Sequence, residues 1–272
     1  MGGVSDTASL YRIAVALYRI MDSRVDRSAG PESALLTALS ELTVHDASPV
    51  ITPGMPMFPA FEGPEMTPVL SHEEVGVAAY RLSLAEHTGS HVDAPYHFDR
   101  DGATVDRLPV DLLLMRPYKK FDLTPEDPQP GQELDAEALR RAAERGGFTL
   151  EKGDVAIVEM GWDRHWPVGP GDHTRGYWGQ NMPGLDESAC ELLAGTGVTA
   201  VGSDTAACDN AVRGGELGTA SGHGHWFLPR GIVIVEGLMG LANVPPCGLL
   251  LALPLKIAGG SGSPLRVLLL HR

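Results

Sequence analysis

Between residues 8 and 23 the apolar positions Leu10, Ile13, Ala14, Leu17, Ile20 and Met21 recur at helical spacing. The pattern predicts a helix, and Ser28-Ala29-Gly30 breaks it. Residues 1–30 therefore read as a helical extension set apart from a main domain over 31–272, and suited to packing on a partner subunit. A second short helix is predicted over 31–42, with Pro31 in its first turn, where a missing N–H costs nothing. TPGMPMFPAFEGPEMTP (52–68) holds too much Pro and Gly for a central strand and reads as loop or edge strand. GVAAYRLSL (76–84) alternates as a strand does. DAEALRRAAERG (135–146) reads as a surface helix, with Asp135 at its start and Gly146 as its cap. A further helix spans 186–194 and stops at Gly195.

Strands are predicted within 153–162, 198–202, 231–238, 249–257 and 265–270. Strands interleaved with short helices indicate an α/β class. Apolar runs such as VAIVEM and IVIVEG suit strands covered on both faces. No internal repeat or linker divides the chain. The expected fold is a single α/β domain with a mixed β-sheet core flanked by helices.

Composition sharpens this picture. The 272 residues include 33 Gly and 21 Pro, about a fifth of the chain against a usual ~12%, which favours a turn-rich β scaffold over a helical bundle. Lys and Arg number 21 against 35 Asp and Glu, a net charge of −14, with no basic run. Nucleic acid and anionic membrane are disfavoured as partners. No apolar run reaches the ~18–20 residues of a membrane span. Arg12, Arg19 and Asp22 interrupt the N-terminal apolar stretch, so it does not read as a secretory signal and a cytoplasmic protein is expected. Three widely spaced cysteines (Cys190, Cys208, Cys247) exclude a disulfide framework and a Cys-rich zinc module. Any metal must be held by the ten His and the carboxylates.

The densest chemistry lies in residues 86–98, EHTGSHVDAPYHF. His87, His91, Asp93 and His97 would share one face of a straight strand. At ~3.3 Å per residue the ends of that strand lie ~33 Å apart, too far for one metal. The chain must fold back, and Gly89 and Pro95 supply the means. Two imidazoles and a carboxylate converging from a bent loop make a three-ligand site with a position left for water, the arrangement of a catalytic metal.

A second cluster, SGHGHWFLPRGIVIVEGL (221–238), places His223 and His225 before an apolar strand that carries Glu236. A Glu inside an apolar run needs a cation, a metal or a hydrogen-bond partner. An arginine or an exposed strand end would equally accommodate it. Three of the four Trp (Trp162, Trp166, Trp178) fall within a short Gly/Pro-rich stretch. They either stack on a planar aromatic substrate or cap the core and fill a subunit interface. Phe58, in the Pro-rich loop, is a candidate for another wall of the same pocket.

Rival readings lack their motifs. GTGVTAVG (195–202) puts its glycines before the strand, unlike a dinucleotide fold. Gly260-Ser261-Gly262-Ser263 misses the serine-hydrolase elbow by one residue and precedes a strand, so it reads as a tight turn. Pro246-Cys247 has no second Cys of the deaminase type.

HTGSHVDAPYHF closely resembles the His-x-Gly-Thr-His-x-Asp-x-Pro-x-His signature of the cyclase-like metal hydrolases, which include kynurenine formamidases and isatin hydrolases. Ser90 stands where Thr is typical. PGMPMFP (53–59), GDVAIVEMGWDRHW (153–166), NMPGLDESAC (181–190), VGSDT (201–205), GIVIVEGLMGL (231–241) and PLKIAGGSGSPLRV (254–267) extend the resemblance from about residue 40. It implies a swivelling β/β/α domain. It also implies metal ligands His87, His91 and Asp93, with His97 as catalytic acid/base and Ser90 or Glu86 orienting a ligand imidazole. Glu236 matches a later ligand of the dinuclear members. The matching His commonly lies 12 residues before that Glu, which here is Gly224. His225 is preferred, because Leu228 follows it at the family spacing, with His223 as the alternative. One or two divalent ions, Mn or Zn, are expected. The implied reaction is hydrolysis of an amide-type bond in a small planar or aromatic substrate by a homodimer or homotetramer. N-formyl-kynurenine, isatin, another cyclic amide and a lactone remain open as substrates. The alternative is a catalytically inactive binding or scaffold protein built on the same fold.

Overall fold

The computed structural model describes residues 31–166 and 175–272. The helix predicted over 8–23, and with it the extension 1–30, lies outside the described residues. In chain order the strands are β1 (Thr43–Asp46), β2 (Glu65–Leu70), β3 (Ala79–Ser83), β4 (His91–Asp93), β5 (Arg116–Asp122), β6 (Glu133–Leu134), β7 (Val155–Glu159), β8 (Gly184–Leu185), β9 (Ala200–Ser203), β10 (Val212–Arg213), β11 (Glu216–Leu217), β12 (Val233–Glu236), β13 (Cys247–Leu251), β14 (Gly262–Pro264) and β15 (Leu268–His271).

Nine of these strands form one mixed sheet in the order β1-β15-β13-β5-β7-β9-β12-β4-β14. The four central strands, β5, β7, β9 and β12, run parallel. The flanking pairs are antiparallel. The apolar runs of the sequence are explained by this centre, because successive side chains point to opposite faces and both faces are covered. One face sets Phe121, Ala156, Val158, Val201 and Ile234 against the helices Ala136–Gly146 and Glu187–Thr196. The other buries Tyr118, Val155, Ile157, Ala200, Val233 and Val235 beneath Leu238, Leu241, Leu265 and Val267.

Each of the two helices begins at an Asp whose carboxylate accepts a backbone N–H of the first turn: Asp135 from Ala138 and Asp186 from Ala189. Their ends fall later than the sequence suggests. Gly147 and Gly197 are the caps, while Gly146 and Gly195 are still helical. The strand expected over 249–257 ends at Leu251, after which Ala252 bonds to Leu113 and the chain leaves the sheet. On β5 and β7, Lys120 and Glu159 form a buried ion pair, and the Lys120 ammonium also donates to the Leu241 carbonyl.

A two-stranded hairpin, β2–β3, stands apart from the main sheet. Met66 pairs with Leu82 and Pro68 with Tyr80, so these four side chains share one face. Tyr80 and Leu82 are each 57% exposed and Met66 40%.

Candidate metal and active site

The local fold assembles the first cluster as the spacing requires. Gly89 turns the chain in the left-handed region at φ +64°, a conformation costly for any other residue here. His91–Asp93 then forms β4, and Pro95 opens a tight turn through His97. The reversal brings the His87 and His97 rings to 4.1 Å between centroids. His91 and Asp93, two apart on a strand, face the same side. Glu236 ends β12 directly opposite His91 in the antiparallel register.

Asp93 is the hub. Its Oδ1 lies 2.6 Å from His87 Nδ1 and 3.5 Å from His91 Nε2, and its Oδ2 lies 3.3 Å from His223 Nε2. Glu236 lies 3.5 Å from both His91 Nε2 and His223 Nε2, and accepts from the Cys208 backbone N–H. All five side chains are buried.

The imidazole nitrogens that point away from this centre are occupied. His91 Nδ1 lies 2.9 Å from the Gly89 carbonyl, which can only accept, so Nδ1 carries the proton. His223 Nδ1 is held by Asp209, whose other oxygen accepts the His223 backbone N–H. The inward Nε2 atoms of both rings are thus the nitrogens turned to the carboxylates, and they offer lone pairs to a cation once their protons leave. Asp93 Oδ2 is buried and has no hydrogen-bond partner among the described residues. Nitrogen and oxygen ligand atoms facing one another in a buried pocket are the donor set a divalent cation requires. The ligand atoms of His91, Asp93 and Glu236 lie within 4.8 Å of one another, as do those of His87, Asp93 and His97. The residues present therefore fit a metal.

The electrostatics are those of a charge-dense buried cluster. Burial alone would raise the Asp93 carboxyl, but the His223, His87 and His91 imidazoles around it hold it well below its usual value. Burial alone would lower His91, yet the hydrogen bond to Glu236 and the Asp93 charge lift it to about 8. Glu236 is raised by burial and by the Asp93 charge. His97 is pushed down to about 4 by its own burial and stays neutral near pH 7.

These groups form the floor of a cavity of about 220 Å³. Its walls include Phe58, Phe61, Phe98, Trp166, Trp178 and Asn210. The Phe61 ring stacks on His87 at 5.3 Å.

Residues 44–210 match the family model described as a putative cyclase. The chain belongs to this family. It is similar to a kynurenine formamidase of Salinibacter ruber, 31% identical over 231 residues that cover 84% of this chain and 97% of the relative. Among solved structures it is similar to isatin hydrolase A from Ralstonia solanacearum, with TM-score 0.76, 25% identity, and 91% and 99% of the two chains covered. It also resembles isatin hydrolase A from Labrenzia aggregata bound to benzyl benzoate, with TM-score 0.75, 23% identity, and coverage of 89% and 99%.

Against the cyclase-family pattern, one site expectation changes. His225 is exposed and packs edge-on against Trp226; it does not reach the cluster. His223, 13 residues before Glu236, takes the place. Residues Gly222–Trp226 form a π-turn, closed by Phe227 N–H to Gly222 O. A π-turn holds one residue more than an α-turn. The extra residue is absorbed there, and the earlier His points inward.

Two further expectations change. Trp162 is fully buried, its indole N–H donates to the Trp178 carbonyl, and it does not line the cavity. Phe58, Trp166 and Trp178 do line it. Ser90 donates to the Gly237 carbonyl and so ties down the loop after Glu236 instead of orienting an imidazole. Asp209, Phe61, Phe98 and Asn210 are additional site residues. Asp209 had a weak signal, the second of two acids in the run of small residues after the predicted strand VTAVG.

Proposed function

We propose that this cavity hydrolyses an amide-type C–N bond in a planar aromatic substrate, an N-formyl aryl amide or a cyclic aryl amide. Cyclase-family membership makes the chain a metal-dependent hydrolase. The finer reading is carried by one observation: His87, His91 and His223 converge on Asp93, with Glu236 against two of these imidazoles, at the floor of an aromatic-walled cavity with His97 beside them. In this reading His87, His91, Asp93, His223 and Glu236 hold one or two ions, Mn or Zn. When bound, such an ion polarises a carbonyl and lowers the pKa of a water toward ~7.

The chain's own residues supply the rest. Phe58, Phe61, Trp166 and Trp178 hold the aryl plane and exclude water. His97 Nε2 or Nδ1, neutral at working pH, takes the proton that the attacking water gives up as it adds to the carbonyl carbon. An imidazolium as acidic as the buried His97 then gives that proton readily to the leaving nitrogen. The complete ligand set and the placement of His97 favour an enzyme over an inactive scaffold.

The exposed apolar face of the β2–β3 hairpin supports a homo-oligomer, with a second copy of the chain covering Met66, Tyr80 and Leu82.

The test is metal-reconstituted protein offered N-formyl-kynurenine and isatin. Formate release from the first or ring opening of the second is expected. His97→Ala should lower kcat by ~10²–10⁴-fold with metal content unchanged. No turnover of either compound, or full activity in His97→Ala, would overturn the reading.

A further inference from the structure

The Gly260-Ser261-Gly262 turn has no part in the reading so far. It reads as a tight turn in the sequence, and it lies against the first imidazole of the site. Ser261 Oγ is 2.6 Å from Glu86 Oε2 and 3.1 Å from His87 Nε2. The Ser261 backbone N–H also donates to Glu86 Oε2, at 3.0 Å. The turn is fixed by Ala94 N–H to Ser261 O and Val105 N–H to Gly260 O, and β14 follows it alongside β4.

The flanking residues leave space for nothing larger than hydrogen. A Cβ on Gly262 would lie 2.8 Å from His87 Cε1, and one on Gly260 would lie 2.6 Å from Glu86 Oε1. The turn is shaped around the ring and the carboxylate.

The hydrogen-bond directions follow from the donor inventory. An ionised carboxylate only accepts, so the single hydroxyl proton of Ser261 goes to Glu86. Ser261 Oγ is then an acceptor toward His87, and His87 Nε2 must carry the ring proton. With Nε2 so committed, Nδ1 is the nitrogen turned to the ligand cluster: it lies at hydrogen-bond distance, 2.6 Å, from Asp93 Oδ1, and a bound metal would take the place of the proton between them. His91 and His223 are fixed in the opposite sense, with Nδ1 donating outward and Nε2 turned to the cluster.

We infer that Ser261, backed by Glu86, is a positioning residue that fixes the His87 tautomer, so that His87 holds metal through Nδ1 while His91 and His223 use Nε2. This rests on the proposed metal reading.

The test uses the full chain loaded with cadmium-113 and labelled with nitrogen-15 histidine. One-bond cadmium–nitrogen coupling should appear on Nδ1 of His87 and on Nε2 of His91 and His223. Ser261→Ala should weaken cadmium affinity, by chelator competition, ~10–100-fold, and Ser261→Thr should restore most of it. Cadmium bound with His87 coupling through Nε2 would overturn this inference and leave the metal reading standing. So would a Ser261→Ala protein with wild-type affinity. No cadmium bound at these histidines would overturn both. The coupling measurement needs no variant, so it decides the matter even if Ser261→Ala does not fold.

Discussion

His223 and His225 sit two residues apart on the same turn, and the protein uses them differently. His223 is 4% exposed, with both ring nitrogens engaged by carboxylates, whereas His225 is exposed on the outer side of the turn. His223→Ala should remove a ligand and leave Asp209 buried without its partner, so bound metal should fall well below the wild-type ratio. His225→Ala should leave metal content and kcat within about twofold of wild type. Elemental analysis of the two purified variants checks this, and metal loss from His225→Ala alone would contradict the assignment. The sequence could not settle this choice, because register along a helical turn depends on one inserted residue. Its other residue-level signal was strong. His87, His91, Asp93 and His97 are close in the chain, so a local bend at Gly89 and Pro95 is enough to gather them. Asp209 and Ser261 reach the same site from 14 and 174 residues away from their imidazoles. Such partners are fixed by tertiary packing, and local pattern carries little trace of them.

At the scale of elements, the site is a ladder pairing. β12 and β4 lie antiparallel with Glu236 opposite His91, and that pairing links the second cluster of the sequence to the first. The apolar runs made the central strands legible, since both faces of the parallel strands are buried. Strand ends were less legible, because Leu251 ends β13 where the chain turns off to bond Leu113. The ladder also carries a pH dependence. The folded-state pKa of His91 is raised from 6.5 to about 8. Its contribution to stability is therefore fully present below about 6.5 and is lost as pH rises through about 8. A shift of that size corresponds to about 2 kcal/mol. Metal-stripped protein should show a falling Tm between pH 6 and pH 9 by calorimetry in chelator, and metal affinity should rise over the same range as protons leave the ligands. A Tm flat across this interval would contradict the proposed protonation of His91.

Among the described residues, the site lies toward one end of the mixed sheet, and the β2–β3 hairpin stands with an exposed apolar face. A hairpin with an apolar face gains little stability alone, and the Met66–Tyr80–Leu82 face is exposed among the described residues. The chain between this hairpin and His87 is short, so the surface and the site share one segment. With a second copy seated on this face, Leu82→Glu should shift the sedimentation coefficient toward that of a monomer. Unchanged sedimentation of Leu82→Glu would rule the hairpin out as the interface. The acidic balance of the chain, by contrast, plays no part in this site beyond Asp93, Asp209, Glu236 and Glu86.

The proposed chemistry depends on a divalent metal held among His87, His91, Asp93, His223 and Glu236. Anomalous diffraction from crystals grown with zinc or manganese, recorded at the metal edge, tests it most directly. A peak is expected within ~2.0–2.2 Å of Asp93 oxygen and of imidazole nitrogens from this set. A peak elsewhere, with none at this cluster in active protein, would contradict it.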